Sequence, residues 1–206
     1  MQTIYKPEHY DDLNLTLNYI MTECSVATKH HKHEMRQLFL STFGENYPEL
    51  RTLILRRQNL KEGLLVFHTD QRSKKFVELQ KNSKACLMGY NHSKKYQLRF
   101  RGEVTLHFQN AVAKNGWNNL SPSSRKTYLT QYSPGEVALA PSSGFDPNFD
   151  NSILDNENLE LGLQRFVVCD FKVLQIEWLY LHPEGHRRAL FTNDDKLNWL
   201  CQWLHP

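Results

Sequence analysis

The sequence predicts a mainly β fold of the α+β class, an antiparallel barrel or sandwich with a few helices outside it. Three observations carry this. Eight or nine short segments have strand texture and are separated by turn residues. Only a handful of segments have helical spacing. No βαβ series and no G-x-G-x-x-G occurs, which argues against a dinucleotide-binding parallel sheet.

Taken in order, Leu13, Leu17, Ile20, Met21 and Cys24 recur at spacings of three and four, a first helix with Asp11 or Asp12 as N-cap. His30-His31-Lys32-His33 follows without a carboxylate or cysteine at ligand spacing, so it reads as a solvated connection. Strands are predicted at 37–43, 50–57, 63–69 and 85–90. A short helix is expected over 73–81, with Phe76 and Leu79 on one side. The stretch 96–108 alternates: Tyr96, Leu98 and Phe100 point one way, Gln97, Arg99 and Arg101 the other. Ser121-Pro122 starts a helix. Residues 141–158 read as a mobile loop. Strands resume at 165–171, 173–181 and 187–192, and 198–204 suits either strand or helix.

The chain has 206 residues, a length for one domain over 1–206. Its net charge of +3 is too weak to imply a nucleic-acid partner. No apolar run approaches the roughly 20 residues of a membrane helix, and the N-terminus lacks a signal-like stretch, so a cytoplasmic protein is expected. Cys24, Cys86, Cys169 and Cys201 are far apart, lie among apolar neighbours, and read as buried free thiols.

Four segments carry chemistry. As one strand, 51–57 would set Arg51 and Arg57 on one face and Arg56 on the other, and arginine suits phosphate through its planar fork. Ser73-Lys74-Lys75 puts two cations at the positive end of a helix, where a bound anion would offset them. Gln97 offers an amide that donates and accepts. Gly185-His186-Arg187-Arg188 is a basic turn preceded by Glu177-Trp178.

In this order the segments resemble the pyridoxamine 5′-phosphate oxidase superfamily of split barrels that bind flavin mononucleotide (FMN). The matching residues are Pro48 with Arg51 to Arg56, then Gly63, Phe67, His68 and Thr69, then Ser73-Lys74-Lys75, then Gln97 and Gly102, and finally Trp203 and Pro206. The resemblance implies a split barrel and a homodimer with FMN between subunits. It implies that Arg51, Lys74 and Lys75 hold the phosphate, with Thr69 helping, and that Arg56 contacts flavin or substrate. It further implies backbone contacts to flavin from Phe67 and His68, an amide contact from Gln97, and completion of the site by Trp178, Arg187 and Arg188 of the partner. The C-terminal pattern departs from that of the oxidase proper: Ala189 and Phe191 stand where that enzyme has histidine and arginine. The implied function is an FMN-dependent oxidoreductase of the oxidase-related branch acting on a small molecule. A non-catalytic flavin carrier and the oxidase proper are the alternatives.

Overall fold

The computed structural model describes residues 7–146, 156–194, 196 and 198–206. Among the described residues nine strands make one antiparallel sheet: β1 Gln37–Phe43, β2 Pro48–Ile54, β3 Arg57–Asn59, β4 Leu64–Asp70, β5 Lys84–Asn91, β6 Tyr96–His107, β7 Phe166–Tyr180, β8 Arg187–Asn193 and β9 Trp199–Leu204. Their order is β2-β1-β5-β6-β7-β4-β3, with β8 also on β7 and β9 on β8. Hydrogen bonds do not close the sheet among the described residues. The helices are α1 Leu13–Lys29, α2 Lys74–Lys81, α3 Ala111–Asn118, α4 Pro122–Lys126 and α5 Asn156–Arg165.

The split originates in β7. Its first part pairs with β4, from Asp70↔Phe166 to Leu64↔Lys172. Its last part pairs with β8 on the same edge, from Gln175↔Thr192 to Tyr180↔Arg187. Strand β6 runs along the other edge throughout. The ladder shifts register where Arg101 faces Gln175 and Gly102 faces Val173, so Leu174 is the extra residue of a bulge. Gly102 is required there, because a Cβ would lie 2.0 Å from the carbonyl oxygen of Lys172.

Alternation along β6 is as the sequence predicts. Tyr96, Leu98 and Phe100 are fully buried, and Gln97 and Arg99 lie on the half-exposed outer face. They join Leu38, Leu40, Leu87, Ile176 and Phe191 in the core. Helix α1 buries Ile20, Cys24 and Ala27 against it, and Asp12 is its N-cap, accepting from the Leu15 amide at 2.9 Å. Glu23 is buried with its charge met by Lys94 at 2.7 Å and the Tyr96 hydroxyl at 2.6 Å. A second apolar cluster sits outside the sheet, where Ala113 and Trp117 of α3 cover Val66, Phe166 and Val168.

Several expectations change. The segment 50–57 is not one strand; it breaks after Ile54 and resumes at Arg57, because Leu55 donates its amide to the Arg36 carbonyl and Arg56 to that of Val66. The two strands expected over 165–181 are the single β7. Residues 198–204 settle as β9, paired to β8. Cys86 and Cys201 are only half-buried, while Cys24 and Cys169 are buried as expected. Residues 147–155 of the expected loop at 141–158 lie outside the described residues, 141–146 are in neither helix nor strand, and the end of the stretch belongs to α5. No described helix is long and apolar enough to cross a membrane.

Gly102→Ala is expected to destabilise the fold by on the order of 2–3 kcal/mol, because the obstacle is backbone rather than a movable side chain. Urea unfolding monitored by tryptophan fluorescence measures this.

Candidate functional site

The first part of the site forms where β4 runs into α2. Thr69 and Ser73 are buried there with their hydroxyl oxygens 3.2 Å apart. Ser73 is the N-cap by position, yet its hydroxyl donates to the Asp70 carbonyl at 2.6 Å and makes no side-chain cap bond. The first turn of α2 holds Lys74 and Lys75 and no acid. The ammonium of Lys75 has its pKa lowered by burial and then by the Arg51 guanidinium, and it makes no ion pair among the described residues. Arg51 comes from β2. It donates to Glu78 at 2.8 Å and to the Thr42 hydroxyl, which itself donates to Glu78 at 2.5 Å. Arg51 is thus paired with Glu78 and, at 3.7 Å, with Glu49, while Lys75 stands without an ion pair beside the orphan amides of a helix start, which suits a phosphate. Lys74 turns away from Lys75, into a hollow that also has Glu45, Glu49 and Glu78 on its walls.

The second part is a cavity of about 470 Å³ between β3, β4 and α3. His31, Arg36, Arg56, Arg57 and His68 line it, and no acidic residue does. Polar side chains of Asn115, Asn119, Ser121 and Ser124 face it from the helical side. Arg36 is buried and donates to the carbonyls of Ala27 at 3.3 Å and Thr28 at 2.9 Å. The side chains of Arg56 and Arg57 have no hydrogen-bond partner among the described residues. Burial and the nearby Arg36 charge pull the Arg56 pKa down. His68 Nδ1 is buried and unpartnered, and burial, then Arg56 and Arg57, lower this imidazole's pKa to about 4. The strand break after Ile54 brings Arg56 and Arg57 to one cavity, where an unbroken strand would have put them on opposite faces.

Between these parts lies an open edge. Strand β3 pairs with β4 only from Leu64 to Val66, so β4 from Phe67 to Thr69 has no strand on that side. The side chain of Phe67 is buried in the core, leaving only its backbone to offer.

The remaining predicted residues lie elsewhere. Gln97 is on the outer face, in register with Leu179, which in turn faces Arg188. Arg188 is held by Glu177 at 2.9 Å, and Glu177 also accepts from Arg99. Arg187 pairs with Asp11 at 3.1 Å. Trp178 points inward and is fully buried against Tyr10 and Tyr180, so its ring reaches no surface where a partner subunit could use it. The residue of that strand presented beside Gln97 is Leu179. Sequence reasoning gave Arg36 no role, left His31 in a solvated connection, and set Arg57 with Arg51 on the strand face opposite Arg56. The adjacent arginines 56 and 57 were the available signal, but the strand break that unites them was not legible.

Residues 19–108 match the family model described as pyridoxamine 5′-phosphate oxidase, FMN-binding domain. No curated protein matches the sequence. The fold is similar to a pyridoxamine 5′-phosphate oxidase-related, FMN-binding protein from Nostoc punctiforme PCC 73102, with TM-score 0.73 and 22% identity, covering 91% of this chain and 96% of that one. It is similar to PhzG from Burkholderia lata 383, solved with tetrahydrophenazine-1-carboxylic acid, with TM-score 0.63 and 18% identity, covering 99% and 98%. It is also similar to a Clostridium acetobutylicum protein related to general stress protein 26, with TM-score 0.56 and 14% identity, covering 88% and 98%.

The His68 environment predicts a pH dependence of stability. The folded pKa of about 4 lies below the unfolded 6.5, so between these values the unfolded chain binds a proton that the folded chain refuses. Stability from this group is complete above pH 6.5 and declines as pH falls toward 4. His9, also lowered by burial, acts in the same direction. The unfolding midpoint should fall from pH 7 to pH 5, and His68→Phe should flatten part of that slope in differential scanning calorimetry.

Proposed function

We propose that the chain, whose residues 19–108 match the family model described as pyridoxamine 5′-phosphate oxidase, FMN-binding domain, is an FMN-dependent oxidoreductase acting on a small molecule. The observation that carries this reading is the desolvated Lys75 beside Arg51 at the start of α2. Together with Thr69 and Ser73 these residues would hold the FMN phosphate, whereas Lys74, which the resemblance also offers for it, lines the neighbouring hollow. When bound, the flavin supplies the hydride or electron chemistry.

The chain's own groups orient and shield it. The open edge of β4 at Phe67 and His68 offers backbone contacts to the ring system, and Gln97 offers an amide. Arg56 stands at the junction with the arginine-lined cavity, which receives the substrate. In this reading the protein is a cytoplasmic homodimer. Support for a second copy comes from the outer face, where Phe39, Leu50, Tyr90 and Leu200 are exposed large apolar residues. Such a copy would carry its own Arg188 toward the site, still attached to Glu177.

The visible absorption spectrum of the purified protein, with mass identification of the released chromophore, tests the cofactor. Flavin bands with an FMN mass are expected; a colourless protein that takes up no added FMN would overturn the proposal. Lys75→Met should weaken FMN binding by on the order of 1.5–3 kcal/mol. The same change should leave the apoprotein's unfolding midpoint unchanged or higher, since it removes a desolvated charge.

A further inference from the structure

The main core has two kinds of aromatic filling. Most of its buried rings are phenylalanines, among them Phe67, Phe100, Phe171 and Phe191. Its buried tyrosines and tryptophan, Tyr10, Tyr96, Trp178 and Tyr180, stand together instead. Each carries into the core a polar atom that phenylalanine would not, and the Trp178 Nε1 is buried without a partner among the described residues. In return, phenol and indole rings give up one electron far more readily than a phenyl ring does. A costly choice of residue concentrated in one place points to a use.

The group forms a circuit. Tyr10 stacks on Tyr180 with ring centres 3.9 Å apart, and Trp178 lies 5.5 Å from the first and 5.9 Å from the second. Tyr180 is the direct register partner of Tyr96 across β7 and β6. Tyr96 meets the half-buried Tyr19 edge-on at 5.7 Å. Tyr19 stacks on His9 at 4.0 Å, and His9 returns to Tyr10 at 4.3 Å. Electron transfer weakens steeply with separation, and no gap of solvent or aliphatic packing wider than these contacts interrupts the stacked rings.

The circuit also has a place for a proton. A phenol that loses an electron becomes a strong acid, so its proton needs a base within reach. Tyr96 donates to the buried Glu23 carboxylate at 2.6 Å, and Lys94 holds the other oxygen of that carboxylate at 2.7 Å. The Lys94 ammonium also lies 5.4 Å from the centre of the Tyr19 ring, which disfavours further positive charge there. Oxidation therefore settles on Tyr96.

We propose that these rings carry an oxidising equivalent from Trp178 to Tyr96, where it rests as a neutral tyrosyl radical with its proton on Glu23. An oxidant first removes one electron from Trp178. Tyr96 replaces that electron through Tyr180 and Tyr10 and passes its phenolic proton to Glu23. A thiolate or ascorbate ion in solution then returns one electron through Tyr19, and Glu23 returns the proton. Trp178 is the core-facing neighbour of Leu179, the residue beside Gln97. That the oxidant is a light-excited flavin rests on the flavin reading above; that the rings conduct does not.

The experiment is ultraviolet flash photolysis of the purified full chain, its flavin content measured first. The flash ejects an electron from tryptophan, and the tryptophanyl and tyrosyl radicals are followed by their separate visible absorption bands. The tryptophanyl signal should decay into a delayed tyrosyl rise whose rate does not depend on protein concentration. Trp178→Phe should remove the delayed rise, although Trp117, Trp199 and Trp203 still ionise. Tyr96→Phe should remove it too, and Glu23→Gln should slow it and abolish its solvent deuterium isotope effect. The double variant Tyr10→Phe/Tyr180→Phe keeps both rings and should also lose the rise, which guards against misfolding of Trp178→Phe. Absence of the rise in the unaltered chain, or its persistence in both Trp178→Phe and the double variant, overturns the proposal. An unchanged rise in Glu23→Gln overturns the assignment of the proton. Where flavin is bound, its emission should increase in Trp178→Phe; unchanged emission cuts the path off from the flavin. A chain that holds and takes up no FMN yet shows the rise would defeat the flavin reading and leave this one standing.

Discussion

Strand β7 has two different neighbours along one edge and a single neighbour along the other. Its pairing with β4 and then β8 lets one strand belong to both parts of a sheet that does not close. The change of direction this needs is located at Leu174, where the ladder to β6 slips by one residue around Gly102. Two parts of the site hang from this strand. Its first part fixes β4, and with it Phe67, His68 and Thr69. Its last part fixes β8, and with it Arg188.

Much of the fold was legible because its determinants are local. Period-two alternation in β6 reports burial directly, since every second residue enters the core. The N-caps at Asp12 and Ser121 are likewise statements about the nearest turn of chain. The break between β2 and β3 was not legible. It depends on Arg36 and Val66 accepting the amides of Leu55 and Arg56 over a long sequence separation. Trp178 was misread for a similar reason. The bulge changes the inside-outside parity of β7, so identity alone could not say whether Trp178 or Leu179 faces out.

Within the site, legibility followed charge more than geometry. Two lysines at a helix start, or two adjacent arginines, are visible as electrostatic anomalies in any sequence. Which of them meet is a tertiary fact. Lys75 joins Arg51 while Lys74 faces a hollow with three glutamates. Arg36 and His31 had no such signal, since one stands just ahead of a strand and the other sits in a histidine-rich connection.

Arg36 has a consequence of its own. Its guanidinium closes the C-terminal carbonyls of α1 at Ala27 and Thr28 while another part of it borders the cavity. Helix α1 in turn packs across the core through Ile20 and Cys24 and holds Glu23 against Tyr96. The N-terminal helix is therefore tethered to the cavity wall by one side chain. Whatever enters that space meets the guanidinium whose Nη1 already holds the helix carbonyls, so the seating of the first helix and the filling of the cavity bear on one side chain.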